Sequence, residues 1–103
     1  MTVEELKRLR DEGRMPLVLD VREPVELSLA SFPFPVVAIP LGALSARFRE
    51  LPTDRTVVCA CRSGGRSAWA VEFLRARGIA LAENLEGGIL AWSSRIDPHV
   101  PRY

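Results

Sequence analysis

Val3, Leu6 and Leu9 recur at helical spacing near the start of the chain, and Thr2 followed by Glu5 carries the signature of a capping box that opens a helix. Gly13 and Pro16 close this element. Leu17-Val18-Leu19-Asp20-Val21 is a nearly continuous apolar run between breakers, the pattern of a strand buried on both faces. The stretch from Glu23 to Leu29 reads as a short helix starting at Pro24. Phe32-Pro33-Phe34-Pro35 then imposes an extended path, because a residue before proline is pushed out of the α region. Val36 to Ile39 reads as a second strand. Ala43 to Leu51 places Leu44, Phe48 and Leu51 on one helical face, and Pro52 stops it.

Thr56 to Ala60 is a third buried strand, followed by a polar loop from Cys61 to Gly65 and a helix from Arg66 to Arg77 that ends at Gly78. Ile79 to Leu85 forms another strand, Gly87-Gly88 a tight turn, and Ile89 to Arg95 a last helix. Strands and helices alternate without a linker or internal repeat. The expectation is a single α/β domain over 1–103, with a mainly parallel central sheet flanked by helices.

Composition narrows the function. Fourteen basic against thirteen acidic side chains leave a net charge of +1, too balanced for a chain that neutralises nucleic-acid phosphates. Two cysteines are too few for a disulfide scaffold, and Cys59 and Cys61 are separated by one residue. With His99 as the single histidine, zinc sites needing several Cys and His ligands are excluded, and no metal is expected. No apolar run approaches the ~20 residues of a membrane span and the N-terminus has no signal layout, so a cytoplasmic, reducing setting is expected.

Cys61-Arg62-Ser63-Gly64-Gly65-Arg66-Ser67 lies between an apolar strand and a helix. Gly64 and Gly65 allow the tight turn that points backbone N–H groups inward, and the helix adds its positive end, making a nest for an anion. Arg62 and Arg66 bracket it, and a cysteine held there should favour its thiolate. The only histidine is remote in sequence, so activation is expected to be electrostatic. Asp20 and Arg22 end the first strand, on the edge of the sheet where parallel α/β folds bind ligands. Two readings stand for them: contact with substrate beside Cys61, or mutual pairing at a strand end.

These residues carry a resemblance. Leu19 to Pro24, Ile39 to Gly42, the Cys61 to Ser67 loop with its helix, and Asn84 to Trp92 are together similar to a single-domain rhodanese, a sulfurtransferase, over nearly the whole chain. The resemblance implies the rhodanese-like three-layer fold, with Cys61 attacking the outer sulfur of thiosulfate, holding it as a persulfide and passing it to cyanide or a thiol. The matching loop, Cys61 to Arg66, has the six-residue length of sulfurtransferases, one shorter than in related phosphatases. Arg62, Ser63, Gly64, Gly65, Arg66 and Ser67, with Asp20 and Arg22, are the expected substrate-binding residues, and no cofactor is implied.

The chain departs from the family where a His-Ile-Pro-Gly-Ala stretch commonly stands, having Leu29 to Pro35 instead. In its tail, Ile96-Asp97-Pro98 and Val100-Pro101-Arg102-Tyr103 are similar to the tails of rhodanese domains fused to adenylyltransferases, which implies a small sulfur-carrier protein among the acceptors, beside thioredoxin; a proline-rich tail packing on the core is the alternative reading of the same residues. The alternative is a non-catalytic or redox-sensing rhodanese-like binding module.

Cys59 should point to the same strand face as Cys61, about 6.5 Å away with parallel side chains, a poor disulfide geometry. It reads as a buried core thiol, with a resolving thiol as the sharper alternative. Trp69, Trp92, Phe48 and Phe73 read as core residues, Trp92 also as a wall of the site, and His99 as a surface residue.

Overall fold

A computed structural model describes residues 1–103. Four parallel strands, β1 (Leu17–Asp20), β2 (Val37–Ala38), β3 (Val57–Ala60) and β4 (Ala82–Asn84), form one sheet in the order β2-β1-β3-β4. Helices α1 (Val3–Asp11), α2 (Pro24–Leu29), α3 (Leu44–Arg47), α4 (Gly65–Arg75) and α5 (Gly88–Arg95) complete the chain. The central pair, β1 and β3, runs in register from Leu17 opposite Val57 to Asp20 opposite Ala60.

Alternation along these strands divides the core in two. Leu19, Val57 and Cys59 pack with Leu44, Ala70, Val71 and Leu74 on one face of the sheet. Val18, Val58 and Ala60 pack with Val3, Leu6, Ile89 and Trp92 on the other. Both faces are covered, which explains the continuous apolar runs and gives the expected three layers.

The Ala43 to Leu51 helix is broken: 3₁₀ turns at Leu41–Ala43 and Phe48–Glu50 flank a single turn of α3. No side chain caps its start, and Ala43 N–H closes a short turn on the Pro40 carbonyl at 2.8 Å. A segment this brief, held by two buried apolar anchors at Leu44 and Leu51, has little to favour one continuous helix. The edge strand β2 is also shorter than expected, although Ile39 N–H still donates to the Asp20 carbonyl at 3.1 Å. Phe32 and Phe34 stack with ring centroids 5.1 Å apart and close over Trp92, so the unusual Phe-Pro-Phe-Pro segment is a core lid on the α1 and α5 side.

Candidate functional site

The carboxyl ends of β1 and β3 lie side by side, with Val21 N–H donating to the Ala60 carbonyl at 3.0 Å. Cys61 follows β3 directly and is 1% exposed. Gly64 takes the left-handed conformation at φ 106°, which an L side chain rarely adopts, and turns the chain into α4. The loop thereby wraps the sulfur. Gly64 N–H donates to Cys61 Sγ at 3.1 Å, Ser67 N–H at 3.5 Å, and the Ser67 hydroxyl at 3.2 Å.

A second layer fixes the loop. Ile89 and Leu90 at the start of α5 donate their N–H groups to the Cys61 and Arg62 carbonyls at 3.0 and 3.1 Å. The approach is so close that a Cβ on Gly88 would stand 2.4 Å from the Cys61 carbonyl oxygen, against backbone that cannot yield. Asn84, at the end of β4, donates to the Gly64 carbonyl at 3.1 Å and accepts from the Ser67 hydroxyl at 2.6 Å.

Burial pushes the Cys61 thiol up, but the Ser67 hydroxyl and the N–H groups of Ser67, Gly64 and Ser63 outweigh it and hold the thiol below its ordinary value. Cys59, packed in the apolar core with no such donors, is pushed up to about 12 by burial. Both cysteines are free, and the two sulfurs differ in character as their surroundings differ.

Of the two arginines expected to favour the thiolate, Arg66 does interact with the Cys61 charge while also being held by Glu26, and Arg62 does not face the sulfur. Arg62 turns outward and donates from Nε to the Tyr103 carbonyl at 2.7 Å. Arg66 forms two parallel bonds to Glu26, each 2.7 Å. Hydrogen bonds of the loop therefore carry most of the thiolate stabilisation. Of the two readings for Asp20 and Arg22, the structure shows mutual pairing at the end of the strand. They are 1% and 0% exposed and paired to each other, Arg22 Nη2 to Asp20 Oδ2 at 2.8 Å. Arg22 also donates to the Ala30 carbonyl and to the Tyr103 hydroxyl, at 3.0 and 2.9 Å. The pair braces the end of β1, α2 and the tail against one another.

Beside the loop lies a pocket of about 470 Å³ lined by Glu23, Leu41, Gly42, Arg66 and Trp69. Trp69 is 56% exposed and stacks on Phe73, itself half-buried like Phe48, so Trp69 is a pocket wall and not a core residue. The inward face of α4 is taken by Ser67, Ala70, Val71 and Leu74, which leaves Trp69 on another side. Trp92 is fully buried on the opposite face of the sheet and walls no part of the pocket. His99 is exposed, beside Asp97. Three residues at the site receive no role from the sequence pattern: Asn84, Glu26 and Tyr103. Each meets its partner across 17 or more positions of chain, beyond the reach of local spacing.

This strand-loop-helix cradle around a cysteine can be set beside known proteins. A family model described as the rhodanese-like domain matches residues 2–95. The chain belongs to the rhodanese-like domain family. A protein of Allochromatium vinosum named sulfurtransferase is 39% identical over 77 residues, covering 75% of this rhodanese domain and 71% of that protein. The maize adenylyltransferase and sulfurtransferase MOCS3-2 is 36% identical over 109 residues, covering 100% of this chain and 23% of that protein. This rhodanese domain thus spans about a quarter of the length of the two-activity relatives it matches. The crystal structure of a rhodanese-related protein from Thermoplasma volcanium superposes with a TM-score of 0.84 at 33% identity, covering 100% of this chain and 97% of the other. Sulfur transfer is the chemistry that these named relatives have in common.

Proposed function

We propose that this rhodanese domain is a sulfurtransferase that carries a sulfane sulfur as a persulfide on Cys61. The observation that carries the reading is the convergence of Gly64 N–H, Ser67 N–H and the Ser67 hydroxyl on one sulfur. Donors arranged this way stabilise a thiolate before reaction and an anionic persulfide after it.

With thiosulfate as donor, the Cys61 thiolate attacks the outer sulfur. A new S–S bond forms, the S–S bond of thiosulfate breaks, and sulfite leaves with the electron pair. In the second half-reaction cyanide or a thiolate attacks the terminal sulfur and the Cys61 thiolate leaves. Charge and atoms balance in both steps without a cofactor or an external oxidant. The loop N–H groups hold the anion in both, and Ser63, Gly65 and Arg66 complete the cradle. A persulfide can replace thiosulfate as donor. Likeness to the adenylyltransferase and sulfurtransferase proteins, which extends over the tail, supports a sulfur-carrier protein as one acceptor, with thioredoxin another. No helix is long and apolar enough to cross a membrane.

Steady-state formation of thiocyanate from thiosulfate and cyanide tests the scheme, since double displacement requires parallel lines in double-reciprocal plots. Intersecting lines, or turnover that survives in C61S, would rule it out. A non-catalytic module would give no thiocyanate at all.

A further inference from the structure

Arg66 is engaged by a carboxylate of the same chain. Its two bonds to Glu26 are joined by a bond from the Tyr103 hydroxyl to Glu26 Oε1 at 2.9 Å and one from Glu23 N–H to Oε2 at 2.9 Å. The Glu26 side chain is 15% exposed, so its charge is fixed in place and only partly screened. Arg66 is also a wall of the pocket beside the loop, where Glu23 adds a second carboxylate and Leu41 and Trp69 add apolar surface. The cation that should welcome an anion is therefore balanced by one carboxylate and neighboured by another. The pocket is an open depression of about 470 Å³, with room for the apolar body of a small organic ligand against Leu41 and Trp69.

We propose that Glu26 determines donor specificity by charge: its pairing with Arg66 disfavours dianions such as thiosulfate and selects singly charged organic sulfur donors, whose apolar body packs on Trp69 and Leu41. The proposal rests on the sulfur-transfer reading and names the class of donor for the same site. For a thiosulfonate donor the Cys61 thiolate forms an S–S bond to the terminal sulfur, the donor S–S bond breaks, and an organic sulfinate leaves with the electron pair. Two negative charges enter and two remain. With thiosulfate the same step gathers three negative charges in one nest, and repulsion by Glu26 scales with the charge on the donor.

Binding can be separated from chemistry with sulfate and methanesulfonate, anions of similar head that differ by one charge. At constant ionic strength, amide shifts of Gly64 and Gly65 in the isotope-labelled chain give a dissociation constant for each. E26Q keeps the side-chain size and an oxygen for Glu23 N–H while removing the charge. Sulfate is expected to tighten roughly tenfold and methanesulfonate about threefold, as expected for a Coulomb term proportional to ligand charge. E26D, which keeps the charge, should return the ratio toward wild type and guards against a folding artefact. Equal tightening of both anions, or none, overturns the proposal.

Catalysis adds a second arm. Wild type should show a higher kcat/KM with benzenethiosulfonate than with thiosulfate, and W69A should raise KM several-fold for the organic donor alone. A preference for thiosulfate in wild type overturns the proposal too. Absence of any sulfur on Cys61 from either donor would instead defeat the sulfur-transfer reading, while the anion titrations would still judge Glu26.

Discussion

The Ser67 hydroxyl lies 2.6 Å from Asn84 Oδ1 and 3.2 Å from Cys61 Sγ, so a single proton faces two acceptors. While the sulfur is a thiol, its S–H can donate to Ser67 and Ser67 to Asn84. Once the sulfur is ionised, the Ser67 proton turns to it. Ser67→Ala removes that response, and the Cys61 pKa should rise, because the thiolate loses a hydrogen bond that the thiol does not need. Thiolate absorbance against pH measures it; an unchanged titration would remove Ser67 from the account.

The two cysteines should react very differently. Cys61 sits below its ordinary range through loop donors, whereas burial pushes Cys59 up to about 12. A small alkylating agent at neutral pH is expected to label native Cys61 and leave Cys59 intact, and peptide mapping would show which is modified. Preferential labelling of Cys59 would contradict the assignment of the nucleophile.

Asp20 and Arg22 are expected to matter for folding and not for donor affinity, because their charged groups are engaged with each other and with the Ala30 carbonyl and Tyr103 hydroxyl. Asp20→Ala strands a guanidinium in the core, and such a loss typically costs about 3–5 kcal/mol. Urea denaturation should show it. If the folded fraction of the variant kept wild-type stability while KM for donor rose sharply, the substrate-contact reading would return.

Glu26 ties stability to pH. The Arg66 guanidinium holds its carboxyl at about 2, below the ordinary value of 4.5. A depressed carboxyl adds stability that is fully present above 4.5 and is lost as pH falls from there through about 2. Because Arg66 is 37% exposed, screening reduces the contribution to about 1 kcal/mol or less. Melting temperatures between pH 5 and 2.5 should therefore fall less steeply for E26Q than for wild type. Identical slopes would show that the pair contributes nothing to the fold.

Much of this arrangement was legible along the chain because it is local. The central strands β1 and β3 announced themselves as apolar runs between breakers, since both faces of the sheet are covered there. The cradle was legible because its donors lie within six residues of Cys61. What local spacing could not reveal was assembled by tertiary contacts. Glu26 meets Arg66 across 40 positions and Tyr103 meets Arg22 across 81, so the arginines looked free when they are engaged. Trp69 read as core because large aromatics usually are, yet the small Ala70 and Ser67 occupy the inward face and leave the indole to the pocket.

The central claim is that Cys61 carries the sulfur. Intact-mass measurement after brief exposure to thiosulfate, or to an organic thiosulfonate, tests it most directly. The chain should gain one sulfur atom, lose it on addition of cyanide or dithiothreitol, and gain none as C61S, while C59S behaves as wild type. An adduct that persists in C61S and disappears in C59S would contradict the account.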